Sequence, residues 1–196
     1  MLKRHVSSTS ASCLAVALTL IVALAGCGGT SGKKASSVIP LTSPAIVGGA
    51  IPARYTCDGA NIAPPLSWGA VPPGVNELVL FALGVRPGGS SMASDSIEWV
   101  MAGINPQLHA IAAGKLPSGA VLLEASDKKR HYSICPPKGH PQRYDFAVFA
   151  VPPAVRVGTE IPGVPLLKNL VYGPPGGTAQ DDSPAKGQLL ATYERR

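Results

Sequence analysis

The sequence predicts one mainly β domain, and three observations carry that prediction. Its 22 glycines and 20 prolines in 196 residues leave little room for long helices. Only 14% of the residues are charged, too few for the solvated faces of long amphipathic helices. Its apolar residues gather in runs of strand length between Pro- and Gly-rich turns. The length suits a single domain with a sizeable core, and 45% hydrophobic content is ordinary for one.

The first 26 residues read as an export signal. Lys3, Arg4 and His5 give a basic start, and 14–24 is an uncharged apolar run. That run is shorter than the ~20 residues a spanning helix needs, and it has the shape of a signal peptide. Leu24-Ala25-Gly26-Cys27 follows, with small residues that give a processing enzyme access to the backbone. It resembles the bacterial lipobox, which implies diacylglycerol on the Cys27 sulfur, cleavage before that residue and acylation of the new N-terminus. Several acyl chains anchor far more firmly than one. The alternative is a plain secretory signal cut near Gly26. On the lipobox reading the protein is a lipoprotein, palmitate or a similar acyl chain holding it to the cell membrane outside the cytoplasm. Residues 27–43, rich in Gly, Ser and Thr, form its flexible tether, and 44–196 its folded domain.

Within that domain, 51–68 is an ordered loop that ends on the apolar Leu66 and Trp68, with turn signals at Asp58-Gly59 and Pro64-Pro65. The runs 77–83 (E-L-V-L-F-A-L) and 97–104 (I-E-W-V-M-A-G-I) read as central strands covered on both faces. Asn105-Pro106 offers a helix start and Gly114 a stop, which predicts a short helix with Leu108, Ile111 and Ala112 on one face. Residues 120–124 read as a short strand and 126–131 as a polar loop. The stretch 132–151 joins a stiff loop around Pro136-Pro137 to a buried strand at 144–151. Residues 161–182 are Pro- and Gly-rich and weakly patterned, and 189–193 closes the domain as a strand or a short helix.

The formal charge is +6, two units of it on Lys3 and Arg4. The densest basic run, Lys128-Lys129-Arg130-His131, has no interleaved aromatics, so it does not read as a nucleic-acid surface. It reads as a solvated loop, or more sharply as a contact for anionic lipid headgroups. No G-x-S-x-G, H-E-x-x-H or phosphate-cradling glycine loop is present, and no catalytic residue or cofactor is expected. Cys57 and Cys135 are the two cysteines of the folded part. Outside the cytoplasm such a pair is more often bridged than free. The competing reading is a metal site from Cys57, Asp58, Cys135 and His140, though it lacks the usual paired-ligand spacing.

Three segments carry a family resemblance: I-P-x-x-Y-T-C-D-G-x-N-x-x-P-P-L-x-W at 51–68, E-W-V at 98–100, and C-P-P-x-G-H…R-Y-x-F at 135–146. Together they resemble the phosphatidylethanolamine-binding proteins, in the bacterial branch called Raf-kinase-inhibitor-like. The resemblance implies a large antiparallel sheet packed on a smaller one with short peripheral helices. It also implies a small pocket that accepts phosphate or carboxylate groups, lined here by Arg86, Glu98, His140, Gln142 and Tyr144. This chain departs from the family pattern at the pocket. Gly84-Val85-Arg86-Pro87-Gly88 stands where the family has D-P-D-x-P, Glu98 where it has one His, and Gln142 where it has another. An ionised Glu98 accepts hydrogen bonds and repels phosphate, unless Arg86 pairs with it. The expected function is therefore non-catalytic binding of a small anionic molecule in an altered pocket. An interaction or inhibitor module with a closed pocket, gripping a protein partner, is the first alternative, and an envelope hydrolase the second.

Overall fold

The structure is a computed structural model and describes residues 38–85, 94–151, 157, 162–172 and 184–196. The export signal, Cys27 and Arg86 lie outside the described residues. Two antiparallel sheets form the domain. The larger has five strands in the order β6-β4-β3-β7-β8: β3 (Glu77–Val85), β4 (Ser94–Ile104), β6 (Val121–Leu122), β7 (Pro141–Val151) and β8 (Lys186–Glu194). The smaller has three short strands in the order β1-β2-β5: β1 (Leu41–Thr42), β2 (Leu66–Trp68) and β5 (Ala110–Ile111).

β3 is the centre of the large sheet, and its continuous apolar run has a direct cause. Successive side chains of a strand point to opposite faces, and both faces of β3 are covered. Leu78, Leu80 and Ala82 join Trp99, Tyr144 and Phe146 in a core shared with Leu66, Trp68 and Ile111 of the small sheet. Val79, Phe81 and Leu83 join Val100 and Phe149 in a second core beneath the helix α1 (Gly163–Tyr172), which contributes Leu166, Leu167 and Leu170. Phe81 and Phe149 meet edge to face at 5.7 Å, an arrangement the ring quadrupoles favour.

The expected helix at 105–114 does not form. The Asn105 side chain accepts from the Gln107 amide (2.9 Å), and the Leu108 amide donates to the Asn105 carbonyl (3.0 Å), so the start signal makes a single turn. The chain then enters β5, where Ile111 pairs with Leu66 and is buried. Packing of one apolar side chain on the small sheet outweighs the local cap. The α-helix lies instead at Gly163–Tyr172, inside the stretch that looked weakly patterned. Pro165 falls in its first turn, where proline is tolerated, and Leu166 and Leu170 share one face at i, i+4 spacing.

β7 begins at Pro141 rather than at the first aromatic residue, because β8 continues the pairing outward from Tyr144↔Ala191 to Pro141↔Glu194. The packed domain also starts upstream of residue 44, since Ile39 is fully buried and Leu41 nearly so. Gly103 shows why one glycine in β4 is required. It sits at φ +72°, its amide donates to Glu77 Oε2 (2.6 Å), and an added Cβ would come within 2.8 Å of the Gly119 carbonyl oxygen. Gly103→Ala should therefore cost about 2 kcal/mol in urea unfolding, from left-handed strain and backbone crowding. An unchanged midpoint would refute that account.

Candidate functional site

Three of the side chains expected around a pocket, Glu98, Gln142 and Tyr144, lie together near the end of β3. Gly84 pairs with Ser96 on β4 and with Tyr144 on β7, which brings three strands together at a residue with no side chain. A Cβ built on Gly84 would lie 2.5 Å from Ser96 Oγ, 3.2 Å from Glu98 Oε1 and 3.7 Å from Gln142 Nε2. Three polar side chains thus close over a glycine floor.

Glu98 owes its place to a bulge. Ala82 pairs with Trp99, and the next residue, Leu83, pairs with Ile97, so Glu98 is the extra residue of β4 and has no partner on β3. A bulge of this kind re-aims a side chain, and here it turns Glu98 towards Gly84 beside the buried Trp99. The Glu98 carbonyl accepts from the Ser133 amide (3.2 Å), which fixes the bulge from the far side.

The hydrogen bonds in this recess are mostly internal. Ser96 donates its hydroxyl to Glu98 Oε1. Gln142 Nε2 donates to the Val85 carbonyl (2.9 Å) and, at longer range, to the Arg143 carbonyl (3.3 Å). Tyr132 donates its hydroxyl to the Tyr55 carbonyl (2.8 Å), and its ring meets Trp99 edge to face at 5.7 Å. Burial raises the Glu98 pKa above the ordinary glutamate value. Ser96 opposes the rise, Asp127 adds to it, and His131 offsets part of it. The Tyr144 and Tyr132 hydroxyls are raised too, first by burial and then by neighbouring groups that include Glu98. Both phenols keep their protons at any physiological pH.

Glu98, Gln142 and Tyr144 therefore come together, and Tyr144 is almost fully buried. His140 is exposed in the turn before β7 and makes none of the contacts around Gly84 described above. Arg86 lies outside the described residues, so its pairing with Glu98 has no structural counterpart here. Sequence reasoning missed Ser96 and the pair Asp127–His131, and it read Gly84 only as the start of the altered stretch. His131 Nε2 lies 2.7 Å from Asp127 Oδ2, and both groups act on Glu98 electrostatically. The i, i+4 spacing of Asp127 and His131 was the available signal, hidden inside a basic run that read as solvated.

A second constellation fixes the loop beside this recess. Cys57 and Cys135 are joined by a disulfide, with Cα atoms 5.2 Å apart. The bridge occupies both sulfurs that the metal reading required. Asp58 accepts from Tyr193 Oη (2.7 Å) and Arg195 Nε (2.9 Å), and these two partners hold its carboxyl below the usual range. The Gly139 amide donates to the Arg195 carbonyl (2.8 Å). The Pro-Pro loop is thus tied at one end to the Cys57 loop and at the other to the end of β8. Among the described residues no three His, Cys, Asp or Glu side chains converge to hold a metal ion.

A large antiparallel sheet on a smaller one, with a half-buried polar recess at the end of its central strand and a bridged Pro-Pro loop beside it, defines a specific class of β-domain. The family profile of the phosphatidylethanolamine-binding proteins matches residues 42–193, and the chain belongs to that family. LppC of Mycobacterium tuberculosis strain H37Rv, whose name designates a proposed lipoprotein, is 30% identical over 200 residues, covering 90% of this chain and 92% of LppC. A UPF0098 protein of Methanothermobacter thermautotrophicus is 36% identical over 109 residues, covering 53% of this chain and 69% of the relative. Among solved structures, the phosphatidylethanolamine-binding protein homolog CT736 of Chlamydia trachomatis superposes with a TM-score of 0.64 at 27% identity, over 82% of this chain and 99% of that one. YbcL of Escherichia coli, described as a member of the mammalian PEBP family, superposes at 0.62 with 21% identity, over 82% of this chain and 100% of YbcL, a likeness of fold.

Proposed function

We propose that this chain is a lipid-anchored, extracytoplasmic binding protein that acts without catalysis, through a family pocket no longer built for phosphate. The observation that carries this reading is where the hydrogen-bond donors go. Phosphate needs donors, yet the Gln142 amide is directed at the Val85 and Arg143 carbonyls and the Ser96 hydroxyl at Glu98. Apart from the Tyr144 hydroxyl, what the recess offers is acceptors, chiefly the carboxyl of Glu98. Such a recess favours a ligand that brings its own donors, an ammonium or hydroxyl group, over the anion that the family resemblance implies.

The anchored, exported part of the proposal rests on Leu24-Ala25-Gly26-Cys27 and is supported by the lipoprotein name of the mycobacterial relative. The non-catalytic part rests on the sequence, which carries neither G-x-S-x-G nor H-E-x-x-H, and on the recess: Ser96 donates to the Glu98 carboxylate, but among the described contacts no third group orients that carboxylate as a catalytic base.

Titration calorimetry of the purified chain with phosphoethanolamine and with ethanolamine tests the selectivity. The amine alone should bind at least as well as its phosphorylated form. Submicromolar binding of phosphoethanolamine would overturn the reading.

A further inference from the structure

The edge of the large sheet at β8 is covered in an unusual way. Residues 38–51 run beside it and join it at both ends: Val38 bridges to Lys186 and Ala50 to Thr192, both in parallel sense. The Ile39 amide donates to the Lys186 carbonyl (2.9 Å) and the Ile51 amide to the Thr192 carbonyl (3.0 Å). Between those ends the chain leaves to form β1, then returns as a 3-10 turn at Val47–Gly49 that lies against β8. A Cβ built on Gly49 would be 3.8 Å from the Leu190 carbonyl oxygen.

This edge carries most of the misplaced apolar surface among the described residues. Val38 is 78% exposed, Val47 77% and Leu190 46%; the other two large exposed apolar residues, Leu116 and Val164, lie on other elements. Apolar side chains beside a sheet edge invite association, and folded proteins usually blunt such edges with charge. Among the described residues, Lys186 is the cation of this edge whose backbone bridges to the incoming segment.

The occupant follows from the direction of the chain. Val38 is the first described residue, and Cys27 stands eleven positions before it. Eleven residues reach at most about 36–40 Å when fully extended, at ~3.3–3.6 Å each. A lipid on Cys27 would therefore keep Val38, and the β8 edge it bridges to, within that reach of the bilayer. Such tethering makes docking effectively intramolecular, so a few apolar side chains suffice. Branched aliphatic residues with a lysine beside them suit the headgroup boundary of a lipid surface.

We propose that the β8 edge, presenting Val38, Val47 and Leu190, is the face that lies on the bilayer holding the anchor. The proposal rests on the lipidation of Cys27 put forward above. It places the recess at Gly84 two strands in from the membrane-facing edge, since β3 and β8 are both neighbours of β7.

The test uses the full chain, processed by a lipoprotein-exporting host and reconstituted in phosphatidylglycerol–phosphatidylcholine vesicles with or without brominated acyl chains. Tryptophan is placed singly by Val47→Trp, Leu190→Trp and Leu116→Trp, and the signal of the parent chain is subtracted. The near-ultraviolet spectrum checks folding, and all three positions are exposed. Bromine should quench the added fluorescence of the Val47 and Leu190 variants at least threefold more than that of the Leu116 variant. Equal quenching at the three sites overturns the docking face. Signals from the Val47 and Leu190 variants that are shielded from bromine below the Leu116 level also overturn it, since a second copy then covers the edge. The mass of the N-terminal peptide separates the two readings. Diacylglycerol on Cys27 with equal quenching sinks docking alone, whereas an unmodified Cys27 sinks both.

Discussion

Replacing Cys57 and Cys135 together by serine is expected to lower the unfolding free energy by about 4 kcal/mol. The two residues are 78 positions apart, and closing a loop of that length removes a large share of the denatured chain's freedom in the chain-entropy treatment. Little in the folded state opposes the estimate. The Cys57 amide already donates to the Ile134 carbonyl (3.0 Å), so the two loops lie together without the covalent link. The bridge therefore acts mainly on the unfolded chain. Denaturant unfolding of the parent and the double variant measures the difference, and adding reductant to the parent should reproduce it. A loss below 1 kcal/mol would mean that the reduced denatured chain retains contacts between these loops. The native loop should survive the substitution, because the ties of Asp58 and Gly139 to β8 are independent of sulfur.

Much of the fold was legible because its strands are buried on both faces. Such strands write continuous apolar runs, as at 78–83 and 146–151. The motif around Cys57 and the one around Cys135 are readable for a related reason: prolines and glycines there are required by loop geometry rather than by packing. The short elements were not legible. β5 exists because Ile111 finds Leu66 on another strand, a contact far along the chain that no local pattern announces. α1 was obscured by Pro165 and flanking glycines, although its Leu166, Leu167 and Leu170 are core residues.

The recess divides in the same way. The identities of Glu98, Gln142 and Tyr144 could be assigned from their strands and from the family pattern. Their roles could not, because role depends on a one-residue bulge that turns Glu98 inward and on which carbonyls claim the Gln142 amide. Asp127 and His131 reach Glu98 from a loop whose sequence resembles any solvated basic turn. Backbone irregularity and loop-to-strand electrostatics leave almost no trace in sequence.

Glu98→Gln is expected to tighten phosphoethanolamine binding at least 30-fold at pH 7.5, which is about 2 kcal/mol. A carboxylate some 4 Å from a bound anion repels it by about 4 kcal/mol at an effective dielectric of 20, and part of that is lost because the recess is open to solvent. The amide keeps an oxygen for the Ser96 hydroxyl and adds donors where the parent has none. The pH dependence identifies the cause. Burial raises the Glu98 pKa in the folded protein, so as pH falls through that raised value the parent takes up a proton and loses the repulsion. The advantage of the variant should shrink steadily towards pH 4.5, whatever the ligand's own titration contributes to both curves. Stability must follow the same group with the corresponding sign. A folded pKa above the unfolded one gives a contribution that is full below the unfolded value and is lost as pH rises through the folded value. The variant should therefore melt a few degrees higher than the parent at pH 8 and alongside it at pH 4. Parallel binding curves across that range would show that Glu98 does not face the ligand. The pocket's departure from its family would then lie elsewhere on its wall.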